Sequence, residues 1–154
     1  MTLASTLTPP TPIPSATILM LRDGPTGLET FMVVRHHQID FASGALVFPG
    51  GKVDAGDYDV RNYCDGADSA DNTAVAMMVG AIREAFEECG ILLARERDSS
   101  ALLPGERLSN LEHYRDPLNR GEISLIDFLK KENLRLACDT LQPFAHWITP
   151  KMLP

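Results

Sequence analysis

The run from Arg83 to Ile91, Arg-Glu-Ala-Phe-Glu-Glu-Cys-Gly-Ile, constrains the fold more than any other stretch of the chain. Upstream, Asn72 or Thr73 can accept the free amides of a first helical turn, and Gly90 suits the left-handed conformation that often follows a last turn. The spacing therefore predicts one helix between them. At about 100° per residue its apolar residues form a single stripe, made of Val75, Met78, Val79, Ile82, Phe86 and Cys89.

Three carboxylates lie on the opposite side of this helix, on Glu84, Glu87 and Glu88. Like charges at these spacings cost a helix about 0.2–0.5 kcal/mol per pair. A hard divalent cation such as Mg²⁺ or Mn²⁺, which prefers oxygen ligands, would offset that cost. Taken alone, the acids indicate either a solvated acidic face or part of a metal site.

A glycine-rich stretch from Phe48 to Asp57 precedes the helix. It runs from the end of an apolar strand into a predicted turn with Gly50, Gly51 and Gly56. Glycines let backbone amides and carbonyls approach a ligand closely. The turn therefore favours the metal or phosphate interpretation of the neighbouring acids.

Together the two stretches resemble the signature box of the Nudix hydrolases, G-x5-E-x7-R-E-U-x-E-E-x-G-U, where U is apolar. The first Gly is matched by Gly51, and the second half is matched by Arg83, Glu84, Ala85, Glu87, Glu88, Gly90 and Ile91. Two departures stand out. Asp57 replaces the family's first Glu, and 25 residues, 58 to 82, replace a spacer of seven, which is 18 more.

The front of this predicted insertion, residues 58–71, is acidic and reads as a surface loop. A longer surface loop costs little additional closure entropy. We therefore expect the glycine turn and the helix to meet in space although they are separated in sequence.

The resemblance implies an α+β fold, a Nudix-like α/β/α sandwich with a mixed sheet, over residues 15–154 after a Pro/Thr-rich tail at 1–14. It implies that Mg²⁺ or Mn²⁺ is held by the Gly50 carbonyl and the three acids. It also implies that Arg83 orients the acids through ion pairs and that Glu84 polarises the attacking water. The implied catalytic set is Arg83, Glu84, Glu87 and Glu88.

Substrate contacts are expected from the loop that enters the glycine turn. Arg35 and His36 are the first candidates for a phosphate contact, and Gly51, Lys52 and Asp57 are further ones. The paired histidines also suggest a metal site, but adjacent residues of an extended segment point apart, so polar loop residues are the favoured interpretation.

Within the family, the segment 46–54 and the late His-Trp-Ile-Thr-Pro at 146–150 are similar to the branch that includes peroxisomal coenzyme A diphosphatases. That likeness favours coenzyme A or an acyl-CoA among nucleoside diphosphate derivatives. Relative to that branch the chain looks shortened at its carboxyl end. This and Asp57 keep open an alternative, a catalytically impaired Nudix-fold module that binds nucleotides or regulates.

Composition narrows the partners. The 154 residues, 44% of them hydrophobic, suit one domain, and the net charge of −7 argues against a nucleic-acid partner. Residues 1–14 lack the pattern of a secretion signal or a membrane span. Three cysteines are an odd set that suggests a reducing, cytoplasmic location. Cys89 could be a catalytic thiol, but its place on the apolar stripe favours a buried structural one.

The remaining pattern predicts a hairpin, a few further strands and two short helices. An uncovered strand at the edge of the sheet would make a homodimer plausible. The predicted strands are 15–22, 28–35, 45–48, 91–94, 134–138 and 144–148, the predicted turn is 23–27, the irregular connection is 95–111, and the helices are 112–118 and 124–132 with Ser124 as N-cap.

Overall fold

Helix α1, Asn72–Cys89, is the longest element of the computed structural model, which describes residues 11–34 and 44–148. The carboxylate of Asp71 accepts a hydrogen bond from the Ala74 amide at 2.8 Å. The N-cap is therefore one residue earlier than predicted, because this side chain reaches the third amide of the helix. Gly90 ends the helix as predicted, with a φ of 73°.

The apolar stripe of α1 forms the centre of the core. Val75, Val79, Ile82 and Phe86 are buried, whereas Met78 and Cys89 are partly exposed at its margin. The ring of Phe86 stacks on Phe128, with centroids 5.6 Å apart. The predicted amphipathic helix is thus confirmed, and its periodicity correctly identified the buried face.

Within the described residues, the strands pair as four two-stranded antiparallel sheets. An isolated parallel bridge joins Cys64 to Leu136. The α+β class is confirmed, with the pairing divided among these ladders rather than drawn into one continuous mixed sheet. The ladders are β1 Ser15–Thr17 with β6 Gly50–Lys52, β2 Leu21–Gly24 with β3 Gly27–Thr30, β4 Val33–Val34 with β5 Leu46–Val47, and β7 Ala94–Glu96 with β8 Leu134–Leu136.

The predicted hairpin is present as β2 and β3. Its turn has two residues rather than five, because Gly24 pairs with Gly27 and the latter adopts a φ of 141°.

The turn predicted at Gly50 is wrong, because residues 50–52 form strand β6. A Cβ on Gly50 would lie 2.7 Å from Thr17 Cα, so the absence of a side chain lets β6 approach β1 closely.

The 58–71 segment is more ordered than a surface loop. The 3-10 turn Ala55–Tyr58 leads into it, and a second 3-10 turn, Arg61–Tyr63, lies within it. Val60 and Ala67 are buried in the core. The Arg61 guanidinium donates to the carbonyls of Ala67 at 2.6 Å and Ala70 at 2.8 Å. The segment is acidic overall, but its apolar residues Val60 and Ala67 fix it to the core.

The part of the chain after α1 is mostly helical. Helix α2, Gly105–Leu111, lies where an irregular connection was predicted, and a 3-10 turn follows it before α3, Arg115–Asn119. Pro117 is the third residue of α3, where the missing amide would have had no partner within that helix. Helix α4, Leu125–Glu132, begins as predicted, because Ser124 Oγ accepts from the Asp127 amide at 3.1 Å.

Two predicted strands differ in the structure. The strand expected at 91–94 begins at Ala94 instead, because the Ile91 amide still donates to the Ala85 carbonyl at the end of α1. The strand expected at 144–148 is absent, since no segment within 11–34 or 44–148 pairs with it. Phe144 and Trp147 are 84% and 80% exposed. No helix in the described ranges is long and apolar enough to cross a membrane.

The stacked phenylalanine is a test of this core. Phe86→Ala should lower the free energy of unfolding by about 3–5 kcal/mol, because Phe86 is 1% exposed and its loss leaves a cavity against Phe128. Urea unfolding followed by circular dichroism measures the change. Phe144→Ala removes the same side chain from an exposed site and should stay within about 0.5 kcal/mol of the unchanged protein. Equal effects of the two substitutions would contradict this packing.

Candidate functional site

Arg83 is the centre of the candidate site. Its guanidinium is 8% exposed and donates from Nε to Asp57 Oδ1 at 2.9 Å and from Nη2 to Asp57 Oδ2 at 3.1 Å. From Nη1 it reaches Glu84 at 2.9 Å and Glu87 at 3.3 Å. It also donates to the Lys52 carbonyl at 2.8 Å. One side chain thereby joins strand β6, the 3-10 turn and helix α1.

The charge balance keeps this guanidinium ionised. Burial works to lower the pKa of Arg83, but the hydrogen bonds and the charge of Asp57, with the charges of Glu87 and Glu84, outweigh it and raise the pKa above its ordinary value. A buried arginine with these partners serves as a fixed fork that sets the positions of carboxylates. This placement agrees with the expected orienting role of Arg83.

Asp57 lies underneath this network. Its carboxylate is 1% exposed and also accepts the Asp54 amide at 2.8 Å. Helix α1 comes close at Gly80, where a Cβ would lie 3.1 Å from Asp57 Oδ2. The expectation that Asp57 contacts substrate does not match this position, because its oxygens face Arg83 and the backbone rather than solvent.

Two glycines of β6 meet the acids of α1. The Gly50 amide donates to Glu88 Oε2 at 3.2 Å across 38 residues of sequence. A Cβ on Gly51 would lie 2.5 Å from Glu84 Cδ, so a larger residue there would displace this carboxylate from its present position. The expectation that the two stretches meet in space is thus met, through a strand rather than a turn.

The pKa values of two of the three acids on α1 are raised. Burial raises the pKa of Glu87 to about 7, with Glu84 and Asp54 adding to the shift and Arg83 opposing it. Burial also raises the pKa of Glu88, while the Gly50 amide works to lower it. A negative charge here is therefore incompletely compensated by the protein itself.

The three acids have suitable chemistry for a divalent cation, but their carboxylates point toward other protein groups. All of them offer hard oxygen donors, and the raised pKa of Glu87 shows that added positive charge would be favourable there. Within the described ranges, however, no three side chains of His, Cys, Asp or Glu converge as a ready metal site. Glu84 and Glu87 turn toward Arg83, and Glu88 toward the Gly50 amide.

Arg115, at the start of α3, supports the helix end that bears the acids. Its guanidinium donates to the Glu87 carbonyl at 3.1 Å and to the Glu88 carbonyl at 2.9 Å. The last carbonyls of a helix lack partners within it, so this contact holds the final turn of α1. The sequence contains no local signal for it, because the partners lie 27 and 28 residues apart.

The other predicted residues are placed differently or not described. Lys52 contributes its carbonyl to Arg83, while the residue itself is exposed. Arg35 and His36 lie outside the described residues. A cleft of about 500 Å³ is lined by other side chains, among them Asp65, Arg95 and Asp139, and includes none of the three acids. The contacts of the candidate site are thus made by α1, β6 and the 3-10 turn that carries Asp57.

Comparison with known proteins supports the family resemblance. No model of a known protein family matches the sequence, and no curated protein matches it. The crystal structure of a NUDIX hydrolase from Alicyclobacillus acidocaldarius is similar, with 25% sequence identity and a TM-score of 0.59. The alignment covers 83% of this chain but only 58% of that one. The chain thus shares the fold of this Nudix hydrolase.

Proposed function

We propose that this protein is a divalent-metal-dependent hydrolase that cleaves the diphosphate bond of a nucleoside diphosphate derivative. The observation that carries the proposal is the meeting of β6 with the acidic end of α1. Gly50 and Gly51 contact Glu88 and Glu84, and Arg83 ties Glu84 and Glu87 to the same strand. The fold likeness to a Nudix hydrolase supports it.

Electrostatics explain why a cation belongs in such a reaction. A diphosphate and this acidic face repel each other by about 1 kcal/mol per charge pair at 4 Å in water, and by about 4 kcal/mol at an effective dielectric of 20. Glu84, Glu87 and Glu88 would hold Mg²⁺ or Mn²⁺ together with the Gly50 carbonyl. The bound ion would shield the phosphate charge and lower the pKa of a coordinated water.

The protein's own groups have distinct tasks in this proposal. Arg83 orients Glu84 and Glu87, and Glu84 is the candidate for polarising the attacking water. Glu87 can hold or release a proton near neutral pH, because burial raises its pKa to about 7. Asp57 is a positioning residue that acts through Arg83, and Arg115 steadies the backbone of Glu87 and Glu88.

Coenzyme A or an acyl-CoA is the first substrate to test, on the similarity of segments 46–54 and 146–150 to the coenzyme A diphosphatase branch. A second candidate function is a Nudix-fold module that binds nucleotides without hydrolysing them. The ion pairs of Glu84 and Glu87 with Arg83 Nη1 favour this second candidate, because they engage two of the carboxylates that a cation would need.

A substrate panel distinguishes the two functions. Coenzyme A, ADP-ribose, NADH and diadenosine polyphosphates are incubated with the protein and Mg²⁺ or Mn²⁺, and phosphate-containing products are separated by chromatography. We expect hydrolysis of at least one, reduced by about 10²-fold or more in Glu88→Gln, since the substitution removes a charged ligand. Glu106→Gln, an exposed glutamate on α2, should retain full activity. Ligand binding without any product would favour the module.

The buried ion pair gives a second prediction. Asp57→Asn should lower the free energy of unfolding by about 3–5 kcal/mol and reduce hydrolysis, because Arg83 loses its bidentate partner. Thermal unfolding and the turnover rate measure both effects. Asp59→Asn makes the same change at an exposed aspartate two residues away and should alter neither. Unchanged stability in Asp57→Asn would show that the pair does not hold the site.

The raised pKa of Glu87 predicts that the stability of the protein depends on pH in the absence of metal. From pH 4.5 to about 7 the unfolded chain releases the Glu87 proton while the folded protein retains it. The free energy of unfolding should therefore fall with rising pH, by up to about 3 kcal/mol from this group. In Glu87→Gln that part of the fall should vanish, while Glu106→Gln should follow the unchanged protein. Parallel pH profiles for all three proteins would contradict the raised pKa.

A further inference from the structure

Cys64 and Cys138 lie on two backbone segments that run side by side. The parallel bridge between Cys64 and Leu136 joins the 58–71 segment to β8. The Asp65 amide donates to the Leu136 carbonyl at 2.9 Å, and the Asp139 amide donates to the Asp65 carbonyl at 3.0 Å. Both bonds are made by Asp65, the neighbour of Cys64, and their partners Leu136 and Asp139 lie on either side of Cys138, so the fold holds the two cysteines near each other.

Side chains next to the cysteines reinforce this alignment. Asp65 follows Cys64 and Asp139 follows Cys138 in sequence, and Arg95 bridges the two aspartates. Its Nη1 donates to Asp65 at 2.9 Å and to Asp139 at 2.6 Å. Gly66 allows the close approach, since a Cβ there would lie 2.6 Å from the Cβ of Asp139. These contacts hold the two segments together at the residues that follow the two cysteines.

The two cysteines differ in accessibility. Cys138 is 1% exposed within the core, and Cys64 is partly exposed and packs against the same cluster. The Cys64 thiol donates to the Val60 carbonyl at 3.4 Å. The hydrogen bond from Cys138 lowers the pKa of Cys64, and the same contact together with burial raises the pKa of Cys138. Cys64 is thus the more accessible and the more readily ionised thiol.

We propose that Cys64 and Cys138 form a reversible intramolecular disulfide when the protein meets hydrogen peroxide. The Cys64 thiolate attacks one peroxide oxygen, the O–O bond breaks, and hydroxide leaves to become water, which leaves a sulfenic acid on Cys64. Cys138 gives up its proton and its sulfur attacks that of Cys64, expelling a second hydroxide that also becomes water. Two thiols are oxidised, and one peroxide is reduced to two waters.

The bond would join the 58–71 segment to the 3-10 turn Cys138–Thr140 that comes after β8. Cys89 stays outside the pair, because it lies at the end of α1, where burial and the charge of Glu88 raise its pKa. It therefore serves as an internal reference thiol. The proposal is independent of the hydrolase activity.

Mass spectrometry of the intact chain tests this directly. The reduced protein is treated with hydrogen peroxide, and remaining thiols are blocked with N-ethylmaleimide. We expect a species lighter by two hydrogen atoms before blocking and carrying one blocking group, and a peptide that links Cys64 to Cys138 after digestion without reductant. The melting temperature should rise on oxidation, and dithiothreitol should reverse both changes.

Three variants make the result specific. Cys89→Ser should form the link at the rate of the unchanged protein, whereas Cys64→Ser and Cys138→Ala should form none. If Cys138→Ala fails to fold, Cys64→Ser still tests the pair, because it leaves the buried thiol in place. A Cys64 that gains two oxygens while Cys138 remains free would overturn the proposal. A link through Cys89 or between two chains would overturn it as well.

Discussion

The buried contact between Arg83 and Asp57 is the interaction on which the candidate site depends. Charges taken out of water are costly, and only near-complete partnering makes a buried ion pair tolerable. Here Asp57 accepts two bonds from the guanidinium and one from a backbone amide, while Arg83 also reaches a carbonyl of β6 and two acids of α1. The pair therefore fixes the position of helix α1 relative to strand β6 and to the 3-10 turn that follows this strand.

The same contact explains the electrostatic character of the acidic helix end. One guanidinium faces the carboxylates of Asp54, Asp57, Glu84 and Glu87 within salt-bridge distance. Four carboxylates face one guanidinium, and burial, with the charges of Glu84 and Asp54 adding to it, raises the pKa of Glu87 to about 7. A face of this kind is unfavourable toward an anionic substrate unless a cation accompanies the substrate. This excess of carboxylates supports the proposed use of a divalent cation, and the ion pairs with Arg83 offset part of it.

Local physics made much of this readable in the sequence. The apolar period and Gly90 predicted α1, Ser124 predicted the start of α4, and the glycines around Pro25 predicted a hairpin, because each depends on residues within a turn or two. The placement of the acids on one side of α1 followed from the same period. The motif resemblance added the expectation that a glycine stretch would lie beside them.

What remained hidden depends on tertiary contact. The strand at 50–52 exists because β1 lies alongside it, and nothing in Gly-Gly-Lys favours a strand by itself. The ordering of the 58–71 segment follows from the burial of Val60 and Ala67 against distant residues. Conversely, 144–148 has strand-like residues but no described neighbour to pair with. The support from Arg115 likewise required knowing that α3 packs beside the end of α1.

The long separations within the site have a consequence for how it comes into being. Arg83 is 26 residues from Asp57 and 31 from Lys52, and Gly50 is 38 from Glu88. Contacts that close such large loops form only when most of the chain has already condensed. An excised peptide spanning α1 alone would carry the glutamates and Arg83 but would lack Gly50, Asp57 and the Lys52 carbonyl, which fix their positions. Under the proposed function, a nascent chain emerging from the ribosome would acquire the cation only after residue 88 had been released and residues 50 to 88 had folded together.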